Sequence, residues 1–269
     1  MNGKTLRLKR FMRSPSGRIV IFPLDHGVSC GIIPGLEDMD RVIRLGMEGG
    51  ADAFVLHKGM VRFLEPMIGA LPGVFMHLSA STQLGPAFHR KVLVGTVEEA
   101  IRRGADGVSV HINLGDTHEP EMLEDFGRVG TACSEWQMPL LVMIYVRGAA
   151  VPSPVPDTAI AHCTRLAAEL GADLIKIPHP QDEGSIERIV NSVPVPVVMA
   201  GGSRKEGSPL PFLDRIGKAL EAGIGGVAVG RNIFQSEDPE RLMRAVSRMV
   251  HENASASEAW ESVRAPDKP

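Results

Sequence analysis

The sequence predicts one closed (β/α)8 barrel built from residues 1–269. Three observations carry that reading. Eight short apolar stretches alternate with helical segments or long loops. One helix-to-strand joint recurs, as Met47-Glu-Gly-Gly-Ala-Asp52, Arg103-Gly-Ala-Asp106, Leu170-Gly-Ala-Asp173 and Ala222-Gly-Ile-Gly225, and each interval between copies holds two strand–helix units. Glycine at a helix end and aspartate in the turn are ordinary joint chemistry, so the regular spacing of four copies is the informative part. No Gly-x-Gly-x-x-Gly follows the first strand, as it would in an open dinucleotide-binding sheet.

In chain order, Lys4 to Met12 alternate Leu and Phe with Lys and Arg, which predicts a short basic amphipathic helix plugging one end of the barrel. Ser14-Pro-Ser-Gly17 ends it. The first strand is Arg18 to Leu24, with Asp25-His26-Gly27 after it and a Gly/Pro loop at Gly31–Gly35. A helix from Leu36 to Glu48 carries Met39, Val42, Ile43 and Met47 at helical spacing. The second strand is Ala53 to His57, followed by a helix from Val61 to Gly69. The third is Val74 to Leu78, followed by a polar loop, Ser79 to Thr82, and a short crossing segment at Val92 and Leu93. Thr96-Val-Glu-Glu99 reads as a capping box on a helix ending at Arg103. The fourth strand is Gly107 to Ile112, with a helix from Pro120 to Trp136. The fifth is Leu140 to Tyr145, with a helix from Thr158 to Leu170. The sixth follows Gly171 and carries Lys176. The seventh is Pro196 to Ala200, then a helix from Leu213 to Ala222. The eighth is Gly226 to Val229, and a last helix, Pro239 to Glu252, leads into a polar tail.

Lys176 draws attention because its strand is otherwise apolar, and burying an ammonium costs several kcal/mol unless it is paired or neutralised. An apolar site lowers a lysine from roughly 10.4 towards about 7–8, and the neutral amine can attack a carbonyl. A lysine at the strand end, reaching water or an acid, is the alternative. In a (β/α)8 barrel the chemistry sits at the C-terminal ends of the strands. Ionisable and polar residues converge there: Asp25 and His26, His57 and Lys58, His77, His111, Tyr145 and Arg147, Lys176 and His179. Schiff-base chemistry needs proton carriers, and Asp25 and Tyr145 are the candidates. Tyr145 shares strand parity with Leu141 and Met143, so its hydroxyl can face the lumen; a core tyrosine is the other reading. The Gly201-Gly202 pair and Gly230-Arg231 end the last two strands, the usual phosphate position in barrels. His26, Lys58 and Arg147 complete the candidate substrate- and phosphate-binding set. Four histidines follow neighbouring strands, but they make no metal-ligand spacing, and no metal or cofactor is expected.

The motifs resemble a known family. Pro23-Leu-Asp-His-Gly-Val28, Val55-Leu-His-Lys-Gly59, Met76-His-Leu-Ser79, Gly104-Ala-Asp-Gly-Val-Ser-Val-His111, Met143-Ile-Tyr-Val-Arg-Gly148, Ala172-Asp-Leu-Ile-Lys176, Met199-Ala-Gly-Gly202 and Val227-Ala-Val-Gly-Arg-Asn-Ile-Phe-Gln235 occur in that order in archaeal-type class I fructose-bisphosphate aldolases. Within that family they are most similar to the 2-amino-3,7-dideoxy-D-threo-hept-6-ulosonate synthase branch. The resemblance implies a (β/α)8 barrel, metal-independent Schiff-base aldol chemistry and a ring-shaped homo-oligomer, often a decamer. It implies Lys176 as Schiff-base lysine, Tyr145 as proton donor, Asp25 as general base, and Gly202, Gly230 and Arg231 on the donor phosphate. The branch joins a fragment of a phosphorylated ketose to L-aspartate semialdehyde; a close relative uses dihydroxyacetone phosphate with the same aldehyde. Fructose-bisphosphate cleavage is the nearest alternative activity. Three mouth segments depart from the pattern: Ser79-Ala-Ser-Thr82 for Ser-Gly-Gly-Thr, Tyr145-Val-Arg-Gly148 for Tyr-Pro-Arg-Gly, and Ile177-Pro-His179 for a small polar pair.

Composition excludes other classes. A net charge of -3, without a basic patch or charged tail, argues against nucleic acid. Cys30, Cys133 and Cys163 are three and far apart, which fits reduced thiols in the cytoplasm. The N-terminus has positive charge but no apolar core, so no signal peptide is expected, nor any membrane span.

Overall fold

A computed structural model describes residues 3–67 and 72–263. Eight strands close into one parallel barrel: β1 (Ile19–Pro23), β2 (Ala53–Leu56), β3 (Gly73–His77), β6 (Gly107–Leu114), β7 (Leu140–Val146), β8 (Leu174–Ile177), β9 (Val197–Ala200) and β10 (Gly226–Ala228). Going round the barrel, β1 lies between β10 and β2, and β8 lies between β9 and β7. The outer layer includes α3 (Met39–Glu48), α4 (Val97–Arg102), α5 (Glu119–Glu135), α6 (Asp157–Glu169), α7 (Glu183–Asn191), α8 (Leu210–Glu221) and α10 (Pro239–Glu252). The barrel expectation holds.

Alternation along the strands makes two cores. One face of each strand packs on the helices. The other fills the lumen with Ile19, Ile21, Ala53, Val55, Phe75, Leu141, Met143, Leu174, Val198 and Ala228. The N-terminal helix α1 (Gly3–Phe11) is the plug that its amphipathic pattern predicts. Phe11 enters the foot of the barrel and stacks on Phe75, ring centroids 3.9 Å apart. Glycines make the room: a Cβ on Gly73 would lie 2.4 Å from the Phe11 ring, and one on Gly107 would lie 2.7 Å from Phe75.

The repeated aspartates have a specific task at that foot. Asp52, Asp106 and Asp173 each reach back to the preceding strand of the barrel. The carboxylate of Asp52 accepts from Val20 N at 2.7 Å, that of Asp106 from Val74 N at 3.1 Å, and that of Asp173 from Leu140 N at 2.9 Å. Each backbone N–H returns a bond to the same strand residue's carbonyl, at 2.9 Å in all three cases. The same carboxylates collect basic side chains. Lys4 Nζ lies 2.9 Å from Asp173, Arg10 lies 2.7 Å from Asp106, and His251 Nε2 lies 2.9 Å from Asp52. The basic face of α1 is therefore explained: two of its cations clamp the plug onto joint aspartates.

Several elements differ from the sequence reading. A short helix α2 (His26–Cys30), which the sequence reading does not contain, lies between β1 and the predicted Gly31–Gly35 loop. Helix α3 begins at Met39, because Asp38 caps it by accepting from Arg41 N at 3.0 Å. The segment Val61–Met67 is a 3-10 helix; a proline at position 66 has no N–H to continue an α-helical ladder. Gly69, where a helix end is predicted, lies outside the described residues. The polar loop and crossing segment pair as an antiparallel hairpin, β4 (Ser79–Ala80) with β5 (Val92–Leu93). The tail contains a further helix, α11 (Ala256–Ser262), started by a Ser255–Glu258 capping box and held by Arg241 over the Trp260 ring at 3.9 Å.

Phe11→Ala should lower unfolding free energy by about 3–5 kcal/mol, read from urea denaturation. Leu6→Ala, on the same helix but 54% exposed, should change it by less than about 1 kcal/mol.

Candidate active site

Lys176 projects from the lumen side of β8. Its strand register pairs it with Met143 on β7 and Val198 on β9, both lumen residues. The side chain is 8% exposed. Among the described residues, no hydrogen bond or ion pair reaches its amine. The strand-end alternative, a lysine in water or paired with an acid, is therefore not the arrangement found. Isolated buried amines are unusual because desolvation is uncompensated.

Asp25 lies between β1 and α2, within Coulombic reach of Lys176, His26, His57 and His77. Its carboxylate oxygens are 3.8 Å from His26 Nδ1 and 3.8 Å from His77 Nε2. Burial alone favours the neutral acid, but His77, His26, Lys176 and His57 outweigh it and hold the carboxyl well below the usual carboxylate range. His77 is fully enclosed and bonds Ser109 Oγ through Nδ1 at 2.7 Å. Burial pushes it down to about 3, against the pull of Asp25. Burial also lowers His57 and His26. Burial thus favours the neutral form of all three rings.

Tyr145 stands two residues beyond Met143 on β7 and packs against the lumen cluster, as its parity predicts. Its ring lies 5.0 Å from His111, and the Arg147 guanidinium sits 4.2 Å above it. His111 Nε2 bonds Asn113 Oδ1 at 3.0 Å, and Asn113 donates from Nδ2 to the carbonyl of His89 at 2.6 Å. His111 is pushed well below its ordinary value, by burial first and then by Lys91 and Arg147.

The two glycine loops meet at the ends of β9 and β10. Gly202 adopts φ +75°, a conformation glycine takes without strain. A Cβ on Gly230 would lie 2.8 Å from Pro23 O and 2.9 Å from the His26 ring, so His26 packs there only against a glycine. Gly230 opens a short helix, α9 (Arg231–Phe234), whose Asn232 donates to Gly201 O at 2.9 Å and Gly202 O at 3.2 Å, tying the loops together. Among the described residues Arg231 Nε is buried without a partner.

Most predicted site residues thus converge on one mouth. Lys58 does not. Its Nζ donates to Glu99 at 3.2 Å on the flank of α4, and its side chain is 44% exposed. A carboxylate one helix away outcompetes the mouth for this flexible ammonium. Two residues escape the sequence reading. Asn232 lies inside a recognised motif, but its bridging bonds depend on two loops meeting. Lys91 carries no local signal at all.

The model of DeoC/LacD family aldolases matches residues 19–236. The chain belongs to the DeoC/LacD aldolase family. This aldolase is 39% identical, over 261 residues, to 2-amino-3,7-dideoxy-D-threo-hept-6-ulosonate synthase 1 of Archaeoglobus fulgidus, covering 97% of this chain and 96% of that one. It is 37% identical over 258 residues to 2-amino-4,5-dihydroxy-6-oxo-7-(phosphonooxy)heptanoate synthase of Streptomyces griseus, covering 95% and 93%. A solved archaeal fructose-1,6-bisphosphate aldolase, with its catalytic lysine covalently bound to the carbinolamine intermediate, superposes with a TM-score of 0.84. It is 30% identical and covers 93% of this chain and 100% of that chain. The family read from the eight motifs is thereby established. Among the described residues no cluster of three metal-ligating side chains occurs, and no helix is long and apolar enough to cross a membrane.

The buried neutral histidines make this aldolase's stability depend on pH. Unfolded, His77 titrates near 6.5; folded, it does so at about 3. The unfolded chain binds the extra proton across that window, so stability is full above 6.5 and falls as pH drops towards 3. From pH 7 to pH 5, His77 alone should cost about 2 kcal/mol, and His77→Gln should flatten the dependence by one proton in urea titrations.

Proposed function

We propose that this aldolase forms a Schiff base through Lys176 and joins a three-carbon ketone unit from a phosphorylated donor to L-aspartate semialdehyde. The observation that carries the reading is the lumen amine of Lys176, buried without a partner beside an ionised Asp25.

The relatives' names support the substrates. In the Streptomyces product the ketone is carbon 6, so the bond made by an aldol step joins carbons 4 and 5. Cutting it leaves a phosphorylated three-carbon ketone, dihydroxyacetone phosphate, and a four-carbon 2-amino-4-oxo acid, L-aspartate semialdehyde. In the Archaeoglobus product the same cut yields the same four carbons, but carbon 7 has lost its oxygen. The acceptor is common and the donor varies. The likeness to a solved fructose-1,6-bisphosphate aldolase supports cleavage of that sugar as a second reading.

In the proposed sequence, Lys176 Nζ adds to the donor carbonyl and water leaves, giving a cationic imine. Asp25 stabilises that cation and accepts the proton, or the cleaved fragment's hydroxyl proton, as the enamine forms. The enamine carbon adds to the aldehyde, and Tyr145 protonates the new alkoxide. Water then returns to release the product and the free amine. Gly201, Gly202, Gly230, Arg231 and His26 are assigned to the donor phosphate. Backbone N–H groups, an unpaired guanidinium and the close approach allowed by Gly230 suit an anion there. Binding energy from that remote group holds the carbonyl near the amine. Arg147 is assigned to substrate; Lys58, spent on Glu99, is not. A homo-oligomer is part of the same proposal. Ile32 and Leu84 support it, being 89% and 98% exposed, with the Leu84 loop tied to α2, next to Ile32, by a Gln83 N to Ser29 O bond of 3.1 Å.

Borohydride reduction with dihydroxyacetone phosphate should leave a covalent adduct on Lys176 by peptide mass spectrometry, and Lys176→Met should lose at least about 1,000-fold in kcat/KM. An unmodified Lys176 would end the proposal.

A further inference from the structure

The mouth holds a second buried lysine that the proposed chemistry leaves unused. Lys91 is 6% exposed, immediately before β5 of the hairpin. Its Nζ donates to Ser81 Oγ and sits 4.8 Å over the Phe88 ring. Among the described residues no carboxylate forms an ion pair with it. Burial, and then Arg147, push its amine down to about 8, while Asp25 and Cys30 pull the other way. His57, His77 and His111 all feel its charge, so it faces the lumen mouth rather than the outer layer.

Its surroundings are rigid. Ser81 Oγ donates to Phe88 O at 2.8 Å, Asn113 holds His89 O at 2.6 Å, and Lys91 N lies 3.4 Å from Met122 Sδ. Asn113 pairs in register with Tyr145, on whose ring Arg147 lies. The Arg147 guanidinium also makes no hydrogen bond or ion pair among the described residues. Two cations, neither matched by an acid, thus share one flank of the mouth, above β3, β6 and β7. The glycine loops occupy the flank above β9 and β10, and Lys176 on β8 stands between. Keeping two like charges close in a desolvated mouth is unfavourable unless an anion joins them.

We propose that Lys91 and Arg147 together bind the carboxylate of the acceptor aldehyde, on the side of Lys176 opposite the donor phosphate. The inference rests on the proposed function and names the group that selects its acceptor. Arg147 offers a planar fork that matches a carboxylate, and Lys91 supplies a point charge held in place by Ser81. With phosphate and carboxylate fixed on opposite flanks, the aldehyde carbon lies towards the amine between them. The phosphate loops present glycine backbone; this flank presents side-chain cations around neutral rings, which suits the smaller anion.

The test uses L-homoserine, the alcohol of the acceptor aldehyde, and its methyl ester, titrated into the full chain by ligand-observed NMR. L-Homoserine should bind at least tenfold more weakly to Lys91→Met and to Arg147→Met. The ester, which keeps the α-ammonium but lacks the carboxylate, should lose no affinity in either variant, and Lys91→Arg should restore most of the acid's affinity. Thermal melting checks that each variant is folded. Equal L-homoserine affinity in wild type and both folded variants, or equal losses for acid and ester, overturns the proposal. So does a wild type that binds the acid no better than the ester. Inorganic phosphate displacing L-homoserine in wild type, with its own affinity lost in Lys91→Met, would reassign the flank to a second phosphate and overturn it as well. Borohydride trapping on Lys176, run in parallel, separates failure of this site from failure of the Schiff-base reading.

Discussion

Strand register is the constraint on which everything else in this molecule depends. A slip of one residue turns every lumen side chain into the helical layer. Three joint aspartates oppose such a slip. Asp52, Asp106 and Asp173 each exchange two bonds with the preceding strand, one through the carboxylate and one through the backbone. A displaced strand would leave a buried N–H and a carboxylate unmatched at once, and orphaned buried groups of this kind cost about 1–3 kcal/mol each. The position of Lys176 in the lumen is thus secured at the far end of its own strand, where Asp173 meets Leu140.

The two ends of the barrel divide the work. The foot is apolar and locked by ion pairs from α1, and by a His251 contact from α10, to the joint aspartates. The mouth collects groups that are poorly compensated: a lone amine, neutral histidines, a guanidinium with a buried unpaired nitrogen. Such groups are costly to fold, and their concentration at one end is what a binding and reaction site requires. Asn232 links the end of β9 to the start of α9, so the loops assigned to the phosphate are also mechanically one piece.

The barrel, the plug and the lumen position of Tyr145 were legible because they follow from periodicity, which is local, while Lys176 stood out as a charge on an apolar strand. Parity on an apolar strand places a side chain without knowledge of the rest of the fold. Asp25 was legible from its place at a strand end. Lys58 is equivalent on the same grounds, but its long stem lets Glu99, on a helix 41 residues away in sequence, claim it. Lys91 was invisible for the complementary reason. Beside Arg90 in a polar loop it resembles any solvated lysine, and its burial arises only because the hairpin folds back over β6 and Phe88 covers the amine. In sequence the joint aspartates read only as turn formers; their partners lie in the preceding strand, beyond any local window.

The Phe11–Phe75 stack seals the foot of a lumen that side chains already fill, so the barrel is no passage. Nothing drains through the floor, so reactants, products and the water exchanged with the imine share one doorway. Traffic through a single doorway imposes an order. Where two reactants share it, the one seated deepest has to arrive before the other.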